Sequence, residues 1–210
     1  MEIKEIKKLP KKFWHLLWKD DSLKGWIFSL AFIFVFIKFI FLPLLILTTG
    51  TILPLAIVES CSMHHQGNFL SSFDNWYSRH ESKYSNFGFS GEEFETFDFN
   101  QGFSKGDILF ITGVKSKNIE IGDIIIFDAG EKNPIIHRVI NIKQDSETAE
   151  YIFSTIGDNN NGQLASEKTI QESQLVGKAQ FRIVPYFGWG KLIFFEHLRS
   201  ENEKGVCYEN

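Results

Sequence analysis

KGDILFIT (105–112) and IGDIIIFD (121–128) are one pattern written twice: a Gly-Asp pair, then a short run of β-branched and aromatic residues. Glycine supplies the positive φ of a tight turn, aspartate accepts hydrogen bonds from nearby backbone, and the run that follows suits a pleated strand. The same texture continues in both directions. LPLAIVES (53–60) begins as a strand, and downstream come IIHRVINI (135–142), YIFSTI (151–156) and VGKAQFRIV (176–184). Short apolar runs at this spacing predict a mainly β domain over 51–200.

Two segments break the pattern. From Trp26 to about Thr49 nearly every residue is apolar, WIFSLAFIFVFIKFIFLPLLILTT. At 1.5 Å per residue this run is long enough for a helix to cross a hydrocarbon layer of about 30 Å, and 25–50 is predicted to span the membrane once. Lys38 costs about 2.5 to 3.5 kcal/mol there, which the surrounding Phe, Ile and Leu residues outweigh. The run is too long, and the basic region before it too extended, for a cleavable leader. Lys4, Lys7, Lys8, Lys11, Lys12, Lys19 and Lys24 all precede it, so the positive-inside tendency puts 1–24 in the cytoplasm and the β domain outside. Pro43, Gly50 and Pro54 predict a kink and an exit near the outer boundary.

The second exception is an aromatic insertion at 67–102. Phe69, Leu70, Phe73, Trp76 and Tyr77 recur at helical spacing, and Ser90 three residues before Glu93 predicts the start of a further short helix. Such an insertion packs its aromatic face on the β domain, dips into the membrane interface or borders a substrate groove.

Bulk composition excludes some functions. The 210 residues are 43% hydrophobic and 23% charged with a net charge of -4, a folding composition without the basic face that neutralises nucleic-acid phosphates. Cys61 and Cys207 lie far apart and suggest neither a disulfide framework nor a metal-ligand pair. The tail SENEKGVCYEN (200–210) is polar and reads as disordered.

ESCSMHH (59–65) changes from strand-like to reactive within a few residues. It offers a serine nucleophile at Ser62, a cysteine nucleophile at Cys61, or a metal site from Cys61, His64 and His65, although the last lacks a second group of ligands. A serine hydroxyl needs a base, and imidazole with a pKa of about 6.5 suits that task, held by a carboxylate. His137 and Asp158 supply these types in NPIIHRVI and STIGDNNNGQ. If Ile136 faces the core, strand alternation turns His137 the other way and Arg138 back, as an aliphatic stem or ion-pair partner.

Read together, ESCSMHH, KGDILFI, IGDIIIF, IIHRVI, GDNN and VPYFGW resemble the ordered boxes of a type I signal peptidase, of the branch found in archaea and in the catalytic subunit of the endoplasmic-reticulum complex. The resemblance runs from the apolar segment to about Phe195. It implies a signal-peptidase-like β domain, with Ser62 as nucleophile, His137 as general base in place of the lysine of the bacterial branch, and Asp158 as the acid. This sequence departs from the family in three ways: Cys61 precedes the Ser-Met pair and His64 follows it, the insertion intervenes, and the second aspartate usual after GDNN is missing. Glu167 is the alternative acid. The resemblance further implies signal-peptide-bearing preproteins as substrates, the lipid membrane and secretion machinery as partners, and a serine mechanism that calls for no cofactor or metal. The alternative is a non-catalytic anchored β domain that binds exported chains or a translocation partner.

Overall fold

The structure is a computed structural model and describes residues 9–66, 73–200 and 204–208. The chain divides into two compact units, Met1–Thr48 and Thr49–Asn210.

In the first unit, helix α1 (Leu9–Trp18) packs on helix α2 (Leu23–Thr49) through Phe13, whose ring meets those of Phe28 and Phe32 edge-on at 5.6 and 5.4 Å. Ser22 caps α2 by accepting from Gly25 N–H at 3.2 Å. Among the described residues, α2 is the one helix long and apolar enough to cross a membrane, and its apolar side chains are exposed. A π turn, Ile37–Phe41, interrupts it just before Pro43. Proline has no N–H to return to the carbonyl four residues back, and its ring crowds that carbonyl, so the helix shifts register there. Lys38 Nζ lies 5.8 and 5.5 Å from the ring centroids of Phe34 and Phe39, a cation-π setting for the one charge in the apolar run.

The second unit is built on one curled antiparallel sheet of seven strands, β1 (Leu55–Ile57), β2 (Ile108–Thr112), β3 (Ile124–Phe127), β4 (Ile135–Gln144), β5 (Tyr151–Ile156), β6 (Ile170–Gln171) and β7 (Leu175–Val184). Their order across the sheet is β1-β2-β7-β3-β4-β5-β6. Register shifts in the β2–β7, β3–β7 and β4–β5 pairs bend the strands.

The repeated Gly-Asp pairs are two copies of one turn. Gly106 and Gly122 sit at φ 93° and 94°, and Asp107 and Asp123 accept from the backbone N–H three residues earlier, at Ser104 and Glu120, each at 2.9 Å. Each aspartate also meets a cation of the intervening strand β7: Arg182 on Asp107 at 3.0 Å and Lys178 on Asp123 at 2.5 Å. The sequence repeat thus fixes two strand starts on either side of β7.

At its centre the sheet is covered on both faces, while Phe181, Ile183 and Val184 near the end of β7 stay exposed. Ile124, Ile126, Leu109, Ile111, Val58 and Met63 pack together on one side, and Ile125, Phe127, Val139, Phe153 and Ile170 on the other. Helices α3 (Phe73–Ser85) and α4 (Gly91–Glu95) bring Trp76, Tyr77, Tyr84 and Phe94 onto Ile140 and Ile156 of β4 and β5. The insertion therefore packs its aromatic face on the sheet. Ser90 caps α4, accepting from Glu93 N–H at 3.2 Å, while Phe69 and Leu70 of the predicted helix lie outside the described residues. A last helix, α5 (Trp189–Phe195), follows β7.

Two expectations are corrected. Cys61 and Cys207 form a disulfide across 146 residues of sequence, a contact that spacing alone does not reveal. Residues 204–208 are accordingly tied to the domain rather than disordered. Lys105 Nζ donates to Gly205 O at 3.2 Å, and Gly205 N–H donates to Glu196 Oε1 at 2.6 Å.

Candidate active site

Ser62 lies just past β1, an edge strand only three residues long. Met63 plugs into the core at 1% exposure, so the chain reverses there and leaves Ser62 half-buried at the surface. Ser62 Oγ is 3.0 Å from Ser60 Oγ. The two histidines that follow go separate ways: His64 Nδ1 pairs with Ser104 Oγ at 2.8 Å, and His65 Nε2 with Asp158 Oδ2 at 2.9 Å. With Cys61 in a disulfide, this stretch offers neither a free thiol nor a convergent set of metal ligands.

The GDNN loop holds the serine from below. Asn159 N–H donates to Ser62 O at 2.7 Å, and a Cβ on Gly157 would stand 2.8 Å from that same carbonyl, too close for any side chain.

His137 sits in mid-sheet, with β4 paired to β3 at Ile125↔His137 and to β5 from Arg138 onward. It is 3% exposed. Its Nδ1–H donates to Glu167 Oε1 in a short contact. Glu167 is itself fully buried and fixed by its own turn, Ala165–Glu167: Oε2 accepts from Leu164 N–H at 2.6 Å, and Oε1 also accepts from Thr155 Oγ1 at 3.2 Å. With Nδ1 engaged by the carboxylate, Nε2 is the nitrogen left for proton transfer.

Asp158 goes elsewhere. Arg138 grips it with Nη2 to Oδ2 at 2.7 Å and Nε to Oδ1 at 3.0 Å, Tyr84 donates to Oδ1 at 2.7 Å, and His65 occupies Oδ2. Arg138 is fully buried, spends its remaining donors on the carbonyls of Asp98, Phe99 and Gly122, and lies 4.6 Å from the Phe94 ring centroid. Burial alone would raise Asp158, but the Arg138 charge and the hydrogen bonds hold its carboxyl far below the usual carboxylate range. His65 is lowered to about 4, first by burial, with the Asp158 hydrogen bond opposing. Its ring stacks on Trp76 at 3.4 Å between centroids.

Ser62 and His137 both line one cleft of about 650 Å³, bounded by β1, by 131–137 and by Asn160 and Leu164. Leu55, Ile57, Ile135 and Ile136 make its walls apolar. The edge of β1 away from β2 carries no strand partner among the described residues, so an extended peptide in the cleft could add to it. At the rim, Glu59 binds Arg199 at 2.7 Å and Lys191 at 3.2 Å. Burial would raise its carboxyl, but these two cations hold it below the usual value.

Of the expected residues, Ser62 and His137 line one cleft, Glu167 pairs with His137 from behind it, and Asp158 lies in a separate buried cluster. Ser60 and Thr155, which touch Ser62 and Glu167, were not anticipated. The Ser60 spacing, two residues before Ser62, was the available signal; Thr155 had none.

No protein-family model matches the chain. It is similar to curated signal peptidase complex catalytic subunits. It is 30% identical over 101 residues to SEC11C of Homo sapiens, covering 45% of this chain and 52% of that protein. Against SEC11 of Debaryomyces hansenii it is 28% identical over 103 residues, 46% of this chain and 60% of the relative. Against SEC11 of Lachancea thermotolerans it is 36% identical over 61 residues, 29% and 36% of the two chains. The chain spans about half the length of the first of these relatives that it matches.

Proposed function

We propose that this protein is a membrane-anchored serine endopeptidase of the type I signal peptidase family, endoplasmic-reticulum and archaeal branch, that removes leader peptides from exported proteins. The observation that carries the reading is the cleft shared by Ser62 and His137, with the far nitrogen of that histidine held by a buried carboxylate. Similarity to the catalytic subunits named above supports it. Residues 1–24 are cytoplasmic, 25–50 cross the membrane once, and 51–200 work on the outer side.

The preprotein segment lies extended along the free edge of β1. Ser62 Oγ attacks the carbonyl carbon while His137 Nε2 takes its proton; the C–N bond then breaks as the imidazolium returns that proton to the leaving amine. Water attacks the acyl-enzyme with the same base, releasing the leader and restoring the serine. Glu167 is the acid that orients His137 and stabilises its charged form. Its other partners, Thr155 hydroxyl and Leu164 N–H, are neutral, so its charge remains available to the ring. Asp158 is instead a structural anion that neutralises Arg138 and steadies the loop under Ser62. A hydrogen bond from nucleophile to base commonly tightens only when substrate is bound, which fits the Ser60 contact of the resting serine.

The test is cleavage of a preprotein whose leader ends in Ala-x-Ala, by the full chain purified in mild detergent. Cleavage at the leader junction by wild type and not by Ser62→Ala supports the reading. Equal inactivity of both, on a substrate that a known signal peptidase cuts under the same conditions, sinks it and favours an anchored binding domain.

A further inference from the structure

The segment carrying Ser62 has little regular structure of its own. Strand β1 ends at Ile57 and its pairing continues only to Val58; beyond that Arg199 holds Glu59 O, the Cys61 carbonyl accepts from His64 N–H in a single turn at 3.0 Å, and the other backbone contacts of Cys61 and Ser62 come from distant parts of the chain. Three contacts converge there. The disulfide joins the residue immediately before the serine to Cys207. Asn159 Nδ2 donates both to Cys61 O at 3.0 Å and to Tyr208 O at 2.9 Å, while Asn159 N–H takes Ser62 O at 2.7 Å. The tail has its own anchor further back, where buried Lys105 binds Gly205 O at 3.2 Å and Glu196 Oε1 at 2.6 Å.

From this arrangement we infer that residues 204–208 are a strap, locked by the Cys61–Cys207 disulfide, and that Cys207 and Asn159 are positioning residues for the Ser62 nucleophile. The inference rests on the peptidase reading for its kinetic consequence. A free-standing loop lets Ser62 wander by fractions of an ångström. Attack on a carbonyl tolerates little of that, since a misplacement of about 1 Å can cost on the order of a hundredfold in rate. The strap removes the freedom from both sides of the residue: the sulfur bridge fixes Cys61, and the asparagine fixes the carbonyls of Cys61 and Ser62. Because the lock is a disulfide, the proposed activity is coupled to an oxidising surrounding. Dithiothreitol would open it by giving two electrons and two protons to the cysteine sulfurs and closing to its own cyclic disulfide.

The experiment compares oxidised full-length chain in detergent with the same chain reduced by dithiothreitol, with Cys207→Ser, and with the Cys61→Ala/Cys207→Ala double variant, which carries no free thiol. Two quantities are read well below each protein's melting midpoint: kcat and KM on the preprotein, and hydrogen exchange of the Asn159 amide. Loss of the strap lowers kcat by about ten- to a hundredfold with KM within about twofold, alike in all three forms, and speeds exchange at Asn159. Unchanged kcat and unchanged exchange, even with a lower melting temperature, make the disulfide a mere staple and overturn the inference. If oxidised wild type cuts no preprotein, the peptidase reading fails, and the exchange arm alone decides whether the strap holds the Ser62 loop.

Discussion

Two imidazole–carboxylate pairs lie in the same β domain, His137 with Glu167 and His65 with Asp158, and both are nearly inaccessible to solvent. Their surroundings separate them. Asp158 faces the Arg138 guanidinium, so its charge is already compensated, and His65 beside it is buried against Trp76 and kept neutral down to about pH 4. Among the described residues Glu167 has only neutral hydrogen-bond donors besides His137, and His137 borders a cleft that also holds a serine. A carboxylate serves an imidazolium only if no other cation has claimed it. The difference teaches that the partners of the acid, more than its distance from a histidine, separate a structural pair from one able to do chemistry.

The comparison breaks first at the proposed base, His137. His137→Ala and Ser62→Ala are expected to lower kcat on a preprotein by at least about 10⁴-fold without a matching loss of fold, whereas the loss in His65→Gln should follow its fraction unfolded. Steady-state cleavage together with thermal melts of each variant reads both quantities. Equal, fold-independent losses in His65→Gln would erase the distinction.

The acids sharpen it. Glu167→Gln, which leaves His137 without its anion, is expected to cost about 10² to 10⁴ in kcat. Asp158→Asn leaves Arg138 buried and uncompensated, and is expected to destabilise by about 3 to 5 kcal/mol in denaturant unfolding. If instead a well-folded Asp158→Asn loses the activity and Glu167→Gln keeps it, the two carboxylates must exchange roles.

The smallest effect concerns pH and stability. Between pH 6.5 and about 4 the unfolded His65 takes up a proton that the folded ring refuses. Stability therefore falls as pH falls through that window, by up to about 3 kcal/mol, and Asp158, held below its ordinary value, adds a further loss in more acid solution. Urea unfolding of wild type and His65→Gln at several pH values isolates the histidine by difference. Parallel curves for the two proteins would remove it from the balance.

Much of this was legible in the residues. The Gly-Asp repeats located two strand starts because a positive-φ turn and its aspartate acceptor are local in sequence. The apolar run gave α2 for the same reason, and the ESCSMHH and HRV boxes marked Ser62 and His137. The acid was another matter. GDNN drew attention to Asp158, yet Glu167 reaches His137 across 30 residues from a turn with no motif of its own. The position of Arg138, one residue from the histidine and therefore on the opposite face of β4, is what draws Asp158 away. Strand alternation was stated at the outset, but its consequence for the aspartate depended on where the β5–β6 loop runs.

What the sequence determined alone is whatever neighbours decide: strand and helix identity, an apolar segment long enough to span a bilayer, and the order of the residue types that the proposed serine mechanism uses. Tertiary structure alone decided which carboxylate meets which histidine, that Cys61 meets Cys207, and that a tail of polar residues is strapped beside the serine. Those are contacts between segments 30 to 146 residues apart, set by how the sheet curls and where its loops return. Nothing in the local chemistry of either partner specifies the other.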